Sequence, residues 1–375
     1  MNIINSTLHR EEQAIFDLRE LYEQYGYKKY KMSKFEEYDL YLENKSFLPS
    51  QQVITFTDLN GKLMALKPDV TLSIAKNVPS APKEPEKLYY NENVYRSPHG
   101  SNEYREIMQV GLECLGDVDL YSQSEVVMLA CKSLSKLSED SVMVVSHMGF
   151  VSGLLESCAL PFALGEKILK CIEHKNAHEI IRLCDNSGIS GEKRDSLVAL
   201  TSLCGTFADT LDKAAEMVKN DKMMDSLLQL RELASVLSAD IEISCIKLDF
   251  SVINDLSYYN GLIFQGFIDG VPTAILSGGR YDNLMEKLGK NTQAIGFAVY
   301  VDLLERCEPD DERFDVDVLL LYDESADTAK LISAVKMLTA NGQRVRTQKT
   351  RSEKLRFKQL LKLGDGGLEI LETND

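Results

Sequence analysis

The chain has 375 residues, 44% of them apolar and 27% charged, a globular composition with material for two or three domains at roughly 150 residues each. Its 42 basic and 58 acidic side chains leave a net charge of −16 at pH 7, which excludes a surface dominated by polyphosphate binding but not a local basic groove. No run approaches the roughly 18 apolar residues of a membrane span. The N-terminal MNIINSTLHREEQ is polar and acidic, where a signal peptide needs a basic patch and then an apolar stretch. Eight cysteines are scattered singly and read as reduced, mostly buried thiols. A cytoplasmic, acidic, multi-domain protein is expected, with no membrane segment.

Along residues 5–26, Ile15, Leu18, Leu21 and Tyr22 recur at helical spacing and Gly26 ends the stretch. Residues 53–58 and 63–66 are predicted strands around Asn60-Gly61, a strong hairpin signal. Asp69 or Thr71 is placed to cap a helix over about 70–77. Residues 79–86, with three of the nine prolines, form a loop. Residues 88–96 and 105–115 read as two long antiparallel strands joined by the turn formers Ser97 to Asn102. A helix over about 122–138 and a strand at 142–145 follow. From about 150 to 238 helical periodicity dominates. Strands are predicted again at 241–243, 246–250, 262–267 and 273–276. Gly278-Gly279-Arg280-Tyr281-Asp282 then leads into a helix at about 283–288, and residues 294–298 start a strand or helix. The acidic residues 308–312 make a linker. Beyond it lies a small α/β unit: a strand in VDVLLLYD, a helix at 324–340, QRVRT, a helix around 351–363, and LEILE. No internal repeat or low-complexity tract appears.

Four segments, in order, carry a family resemblance. TFTDLNGKLMALKPDVT, YREIMQVGLECLG, NDLSYYNGLIFQ and GGRYDNLMEKLG with AIGFAVYVD resemble the signature segments of class II histidyl-tRNA synthetases. The resemblance covers residues 1–310. It implies an α+β fold, a class II synthetase-like antiparallel sheet flanked by helices. The core would occupy residues 1–150 and 239–308, interrupted by a helical insertion at 151–238. A small α/β domain resembling a truncated anticodon-binding domain would follow at 313–375.

Departures from the family pattern separate two functions. Adenylation needs arginines on the triphosphate, because they are permanently charged and match phosphate geometry with two donors. Arg96 and Arg105 stand at the second-motif positions as a vestigial phosphate site. However, the Arg-x-Glu signature is Arg96-Ser97-Pro98 here, and the loop to Arg105 is one residue shorter. Asn254 and Asp255 replace the Arg-Gly of the histidine-specific element, and Ser257 replaces an Asp. Asp302-Leu303 stands where a Glu-Arg pair is expected. Losing one such donor costs about 10²–10³ in rate, so adenylation is expected to be absent.

The amino-acid pocket is better kept. Carried over by position, Asp69, Thr71, Gln109 and Glu113 would hold the ammonium and imidazole of histidine, with Tyr258 and Tyr259 as aromatic walls. The bland alternative is that Asp69 caps a helix and Glu113 pairs with Arg105 or Arg280. A histidine-sized site without a phosphate site resembles the regulatory subunits of ATP phosphoribosyltransferase, and Lys67-Pro68-Asp69-Val70-Thr71 is similar to their R-P-D-x-T form. The resemblance implies a non-catalytic subunit without cofactor, built on a homodimer core. Its partner would be the short-form ATP phosphoribosyltransferase catalytic subunit and its effector L-histidine, at the first step of histidine biosynthesis. No nucleic-acid partner is expected. The rival reading is an active histidyl-tRNA synthetase with drifted motifs; a stand-alone amino-acid sensor is a third.

Other features receive structural readings. Cys171, His174 and His178 lie on a predicted helix at ligand-like spacing, but no fourth ligand is near. Ser146 and His147, adjacent in a strand, point to opposite faces. Gly278-Gly279 serves close packing, since no Lys-Ser/Thr follows. Arg344, Arg346, Lys349 and Arg351 form a basic cluster, read as a solvated face rather than a tRNA contact.

Overall fold

The computed structural model describes residues 10–43, 53–80, 82, 84–97, 103–241, 243–253, 258–307, 314–352, 354–364 and 366–374. One compact unit runs from His9 to Cys307, and a second holds the C-terminal residues from Glu308.

The larger unit opens with α1 (Arg10–Gln24), which buries Ala14, Leu18, Leu21 and Tyr22 along one stripe. Gly26, at φ +81°, turns the chain into β1 (Lys28–Lys29). A three-stranded antiparallel sheet follows, made of β2 (Phe35–Glu37), β3 (Thr55–Thr57) and β4 (Leu63–Leu66), with α2 (Asp39–Glu43) between its first two strands. The Asn60-Gly61 hairpin is present, with a five-residue loop rather than a two-residue one. Asp58 Oδ1 accepts the N–H groups of Asn60 and Lys62, both at 2.8 Å, and so makes the turn with its own side chain. Next come α3 (Val70–Asn77) and the long hairpin of β5 (Glu86–Arg96) and β6 (Arg105–Gly116), paired along their whole length. Of the expected turn between them, residues 98–102 lie outside the described residues.

After α4 (Leu120–Leu137) and β7 (Ser141–His147), the chain enters six helices: α5 (Met148–Cys158), α6 (Phe162–Glu173), α7 (Ala177–Asn186), α8 (Glu192–Leu200), α9 (Phe207–Glu216) and α10 (Asp221–Leu237). The insertion is not purely helical. Between α8 and α9, β8 (Cys204–Thr206) joins the main sheet at its edge. Of the predicted strand at 241–243, Glu242 lies outside the described residues, and Ile243–Cys245 is a 3-10 turn leading into β9 (Ile246–Asp249). β10 (Leu262–Ile268), β11 (Leu276–Arg280), α11 (Asp282–Lys287) and β12 (Gln293–Tyr300) complete the sheet. β11 starts at the end of its predicted span and includes the Gly278-Gly279 pair.

The order of the nine strands is β1-β5-β6-β12-β11-β10-β7-β9-β8. The expected sheet was antiparallel. The observed one is mixed, because β1 lies parallel to β5 and β9 parallel to β7. Alternation along β6 divides the interior. Val110, Leu112 and Cys114 enter a large core with α1, α4 and the insertion. On the other face, Leu115 and β5 residues Leu88, Tyr90 and Val94 pack beneath α3 and α11.

The C-terminal unit is a four-stranded sheet of β13 (Val316–Tyr322), β14 (Val345–Gln348), β15 (Phe357–Gly364) and β16 (Gly367–Thr373), in the order β14-β13-β15-β16, with α12 (Thr328–Ala340). The predicted helix at 351–363 is instead β15. Phe357 and Leu360 pack on one face with Leu319, while Leu361 and Leu363 pack on the other with Val318 and Leu320. A strand buried on both faces loses the alternation that identifies strands in a sequence.

Candidate functional site

The site is built on the face of β6 that carries the odd-numbered residues, roofed by α3. Glu113, 1% exposed, lies in register with Leu88 of β5 and Gly296 of β12. Its Oε1 accepts the Thr71 hydroxyl and its Oε2 the Tyr281 hydroxyl, each at 2.6 Å. Burial, the largest influence, pushes the carboxyl pKa up to about 8, and nearby Asp69 acts in the same direction. The two hydroxyl donors oppose the shift.

Space for this carboxylate comes from a residue without a side chain. A Cβ on Gly296 would stand 1.7 Å from Glu113 Oε2, and one on Gly279 would stand 2.8 Å from the Tyr259 ring. The rings of Tyr258 and Tyr259 have centroids 4.5 Å apart with their planes tilted by 49°, and Tyr258 lies 5.8 Å from Tyr281. The result is a cage of phenol rings around one acid.

Gln109 is on the same face two residues before Gly111, opposite Glu92 and Tyr300. It is 3% exposed, yet its side-chain amide hydrogen-bonds to nothing among the described residues. Its donors and acceptor are therefore available to a ligand. Asp69 caps α3, its Oδ1 accepting the Leu72 N–H at 2.7 Å. Its other oxygen lies 3.6 Å from Arg96. The structure therefore gathers Asp69, Thr71, Gln109, Glu113, Tyr258 and Tyr259 around one region. It adds Tyr281, a residue of the Gly-Gly-Arg-Tyr-Asp segment that is not among the candidates from sequence. An aromatic residue at a strand-to-helix junction beside two glycines was the available signal.

The arginines are placed differently. Arg96 donates its Nε to the Pro68 carbonyl at 2.7 Å and pairs with Asp69, so it holds the turn before α3. Arg105, opposite it in register, is half exposed, and its nearest acidic partner is Glu103 at 3.9 Å. Arg280 is bound to Asp282 at 2.8 Å. The alternative pairing of Glu113 with Arg105 or Arg280 does not occur, whereas the helix cap at Asp69 does. Leu303 packs against the large core and brings no charge to the site. Asn254, Asp255 and Ser257 lie outside the described residues.

The remaining candidates resolve into structure. Cys171 is on α6, but Lys175 at φ +52° breaks the chain before α7, so His178 sits on a separate helix. No cluster of three or more metal-ligand side chains exists among the described residues. In the C-terminal unit, Arg344 binds Asp317, Lys349 binds Glu324, and Arg351 binds Glu372. Their charges are locally offset. No helix among the described residues is long and apolar enough to cross a membrane.

Comparison with known proteins agrees with this architecture. A model of the family described as histidyl-tRNA synthetase matches residues 3–304. The ATP phosphoribosyltransferase regulatory subunit of Clostridium acetobutylicum is 30% identical over 338 residues, covering 87% of this chain and 83% of the relative. An ATP phosphoribosyltransferase regulatory subunit/histidyl-tRNA synthetase from Bacillus halodurans superposes with a TM-score of 0.74 at 24% identity, over 90% of this chain and 88% of that one. A chain of the ATP phosphoribosyl transferase (HisG:HisZ) complex from Thermotoga maritima gives 0.61 at 19% identity, over 77% of this chain and 96% of that one. Both structures speak for the fold, an α+β class II synthetase-like sheet with flanking helices. The chain belongs to the histidyl-tRNA synthetase-like family of ATP phosphoribosyltransferase regulatory subunits.

Proposed function

We propose that this chain is the non-catalytic regulatory subunit of a cytoplasmic ATP phosphoribosyltransferase. It binds a short-form catalytic subunit, is required for that partner's activity, and confers feedback inhibition by L-histidine at the first step of histidine biosynthesis. The kinship with named regulatory subunits supports the coarse role. One observation carries the finer reading: Gln109 and Glu113 are buried on one face of β6, with Tyr281 bonded to Glu113, while Arg96 on the same face is engaged by Pro68 and Asp69. A carboxyl and a free amide suit an imidazole and an ammonium. A triphosphate needs cations that are not otherwise occupied.

Feedback requires histidine to bind two states of the complex unequally, since a ligand shifts an equilibrium only by its differential affinity. The site touches β6, β12 and α3 together, so filling it changes how three elements meet. A homodimer core would carry that change to the partner.

The test is thermal denaturation with L-histidine and with ATP, alongside co-purification with the catalytic subunit and a phosphoribosyl-ATP assay. Histidine should stabilise the chain by about 2.7 kcal/mol at 100 times its Kd, ATP should do little, and added histidine should slow the complex. Histidine-dependent ATP–pyrophosphate exchange by the isolated chain would instead identify an active synthetase.

A further inference from the structure

A second polar cleft of about 340 Å³ opens where β7 ends and α4 and α5 begin. Arg280, which lines it, pairs in register with Ile295 on the large-core side of the sheet. The cleft is thus on the opposite face from Glu113.

His147 and Gln123 line its inner part and are 3% and 4% exposed. His147 is committed to the protein. Its Nδ1 accepts the Gly149 N–H at 3.2 Å, so the ring proton sits on Nε2 and donates to Gln229 Oε1, also at 3.2 Å. Burial pushes the imidazole pKa down to about 4, and the ring is neutral. Gln123 is different: its side-chain amide hydrogen-bonds to nothing among the described residues and reaches the cleft alone. An amide that faces a cleft with no protein partner keeps its donors and its acceptor for a ligand.

The surrounding charges define what would satisfy it. Arg280 Nε is held by Asp282 at 2.8 Å and one terminal N–H contacts the Val118 carbonyl at 3.4 Å, leaving further N–H groups of the fork. Asp282 is saturated by Arg280, Asn260 and the Ala294 N–H. Asp119 caps α4 through the Ser122 N–H at 2.8 Å and pairs with no cation among the described residues. Glu232 on α10 is exposed and likewise makes no ion pair there. With Asp282 offset and His147 neutral, the rim is negative, the back carries a guanidinium, and the floor is an open amide. Free phosphates are repelled by the rim. A zwitterion meets each group with its opposite.

We propose that this cleft is a second small-molecule site, which takes a free α-amino acid with its ammonium toward Asp119 and Glu232 and its carboxylate toward Arg280. Gln123 then gains its hydrogen bonds from the ligand. The site stands apart from the Glu113 pocket in position and in residues.

The test is thermal denaturation of the full chain with L-glutamine, L-lysine or L-serine, and with ammonium acetate as a control lacking the zwitterion. At least one amino acid should raise the midpoint by a few degrees while the acetate does not. Gln123→Leu removes the amide that faces the cleft and should weaken the responding probe at least about tenfold. Glu232→Gln, an exposed change that leaves the fold untouched, should weaken it comparably. No response to any of the three amino acids overturns the proposal, as does a response that persists in Glu232→Gln.

Discussion

Tyr281 donates its hydroxyl to Glu113 across 2.6 Å, joining residues 168 positions apart in sequence. Thr71 donates to the other oxygen of the same carboxyl. Two donors favour the ionised form, yet burial is the larger influence and holds the pKa near 8. In the empty pocket at neutral pH the group is mostly protonated, and a ligand that brings an N–H donor or a positive charge favours ionisation.

Stability should therefore depend on pH through this one side chain. Its folded pKa, about 8, lies above the ordinary value of 4.5. The stability contributed by proton binding is fully present below pH 4.5 and is lost as pH rises through 8. The loss approaches about 1.4 kcal/mol per pH unit within that window. Glu113→Gln keeps the shape without the titration. In urea unfolding its stability should gain on the wild type between about pH 4.5 and 8. Parallel stability curves would show that Glu113 does not hold its proton in this way.

Histidine binding should release a proton. A ligand that donates an N–H or brings its positive charge to Glu113 favours the ionised carboxyl, and below pH 8 the proton it displaces leaves for solvent. Calorimetric enthalpies at pH 7 should thus vary with the ionisation enthalpy of the buffer, and affinity should rise from pH 7 to 8. Buffer-independent enthalpies would show that Glu113 does not give up its proton when the ligand binds.

Much of this arrangement can be read from the chain and part of it cannot, for identifiable reasons. Asp69 three residues before Leu72 announces a cap, and Asn60-Gly61 announces a turn, because both signals are local. The alternation in β6 places Gln109 and Glu113 on one face without further knowledge. The role of Arg96 is illegible, since its main acceptor is the backbone carbonyl of Pro68, which no side-chain pattern encodes. The role of Tyr281 is equally hidden, because its partner is distant in sequence. β15 does not show as a strand because Phe357, Leu360, Leu361 and Leu363 serve two packed faces at once, so no periodicity survives.

Gly296 is where space, rather than chemistry, sets the pocket. A methyl group there would stand 1.7 Å from Glu113 Oε2 and 2.5 Å from the Leu112 carbonyl oxygen. Glu113 can swing only by breaking its bonds to Thr71 and Tyr281, and the backbone of β6 cannot yield. Gly296→Ala should cost about 1–3 kcal/mol of stability as overpacking and abolish histidine-dependent stabilisation. Retained histidine binding in a folded G296A chain would mean that Glu113 is not held in place by this glycine.

Lys290 holds the far end of the helix that roofs the site. Its ammonium, 9% exposed, donates to the carbonyls of Ala75 and Lys76 at 2.6 and 2.7 Å, and to that of Val78. These are acceptors at the end of α3 that would otherwise lack a donor. Burial lowers the lysine pKa, but a cation at a helix C-terminus is favoured by the helix dipole. Since Tyr281 precedes α11 and Lys290 follows it, α11 grips α3 at both ends: through Glu113 and Thr71 at the start, and through the ammonium at the finish. Lys290→Met should leave those carbonyls without their donor, costing about 1–3 kcal/mol, and it should also weaken histidine binding by shifting Thr71. Lys76→Ala, an exposed change on the same helix, should do neither. If K290M loses stability while its histidine affinity is unchanged, the pocket does not depend on how α3 is held.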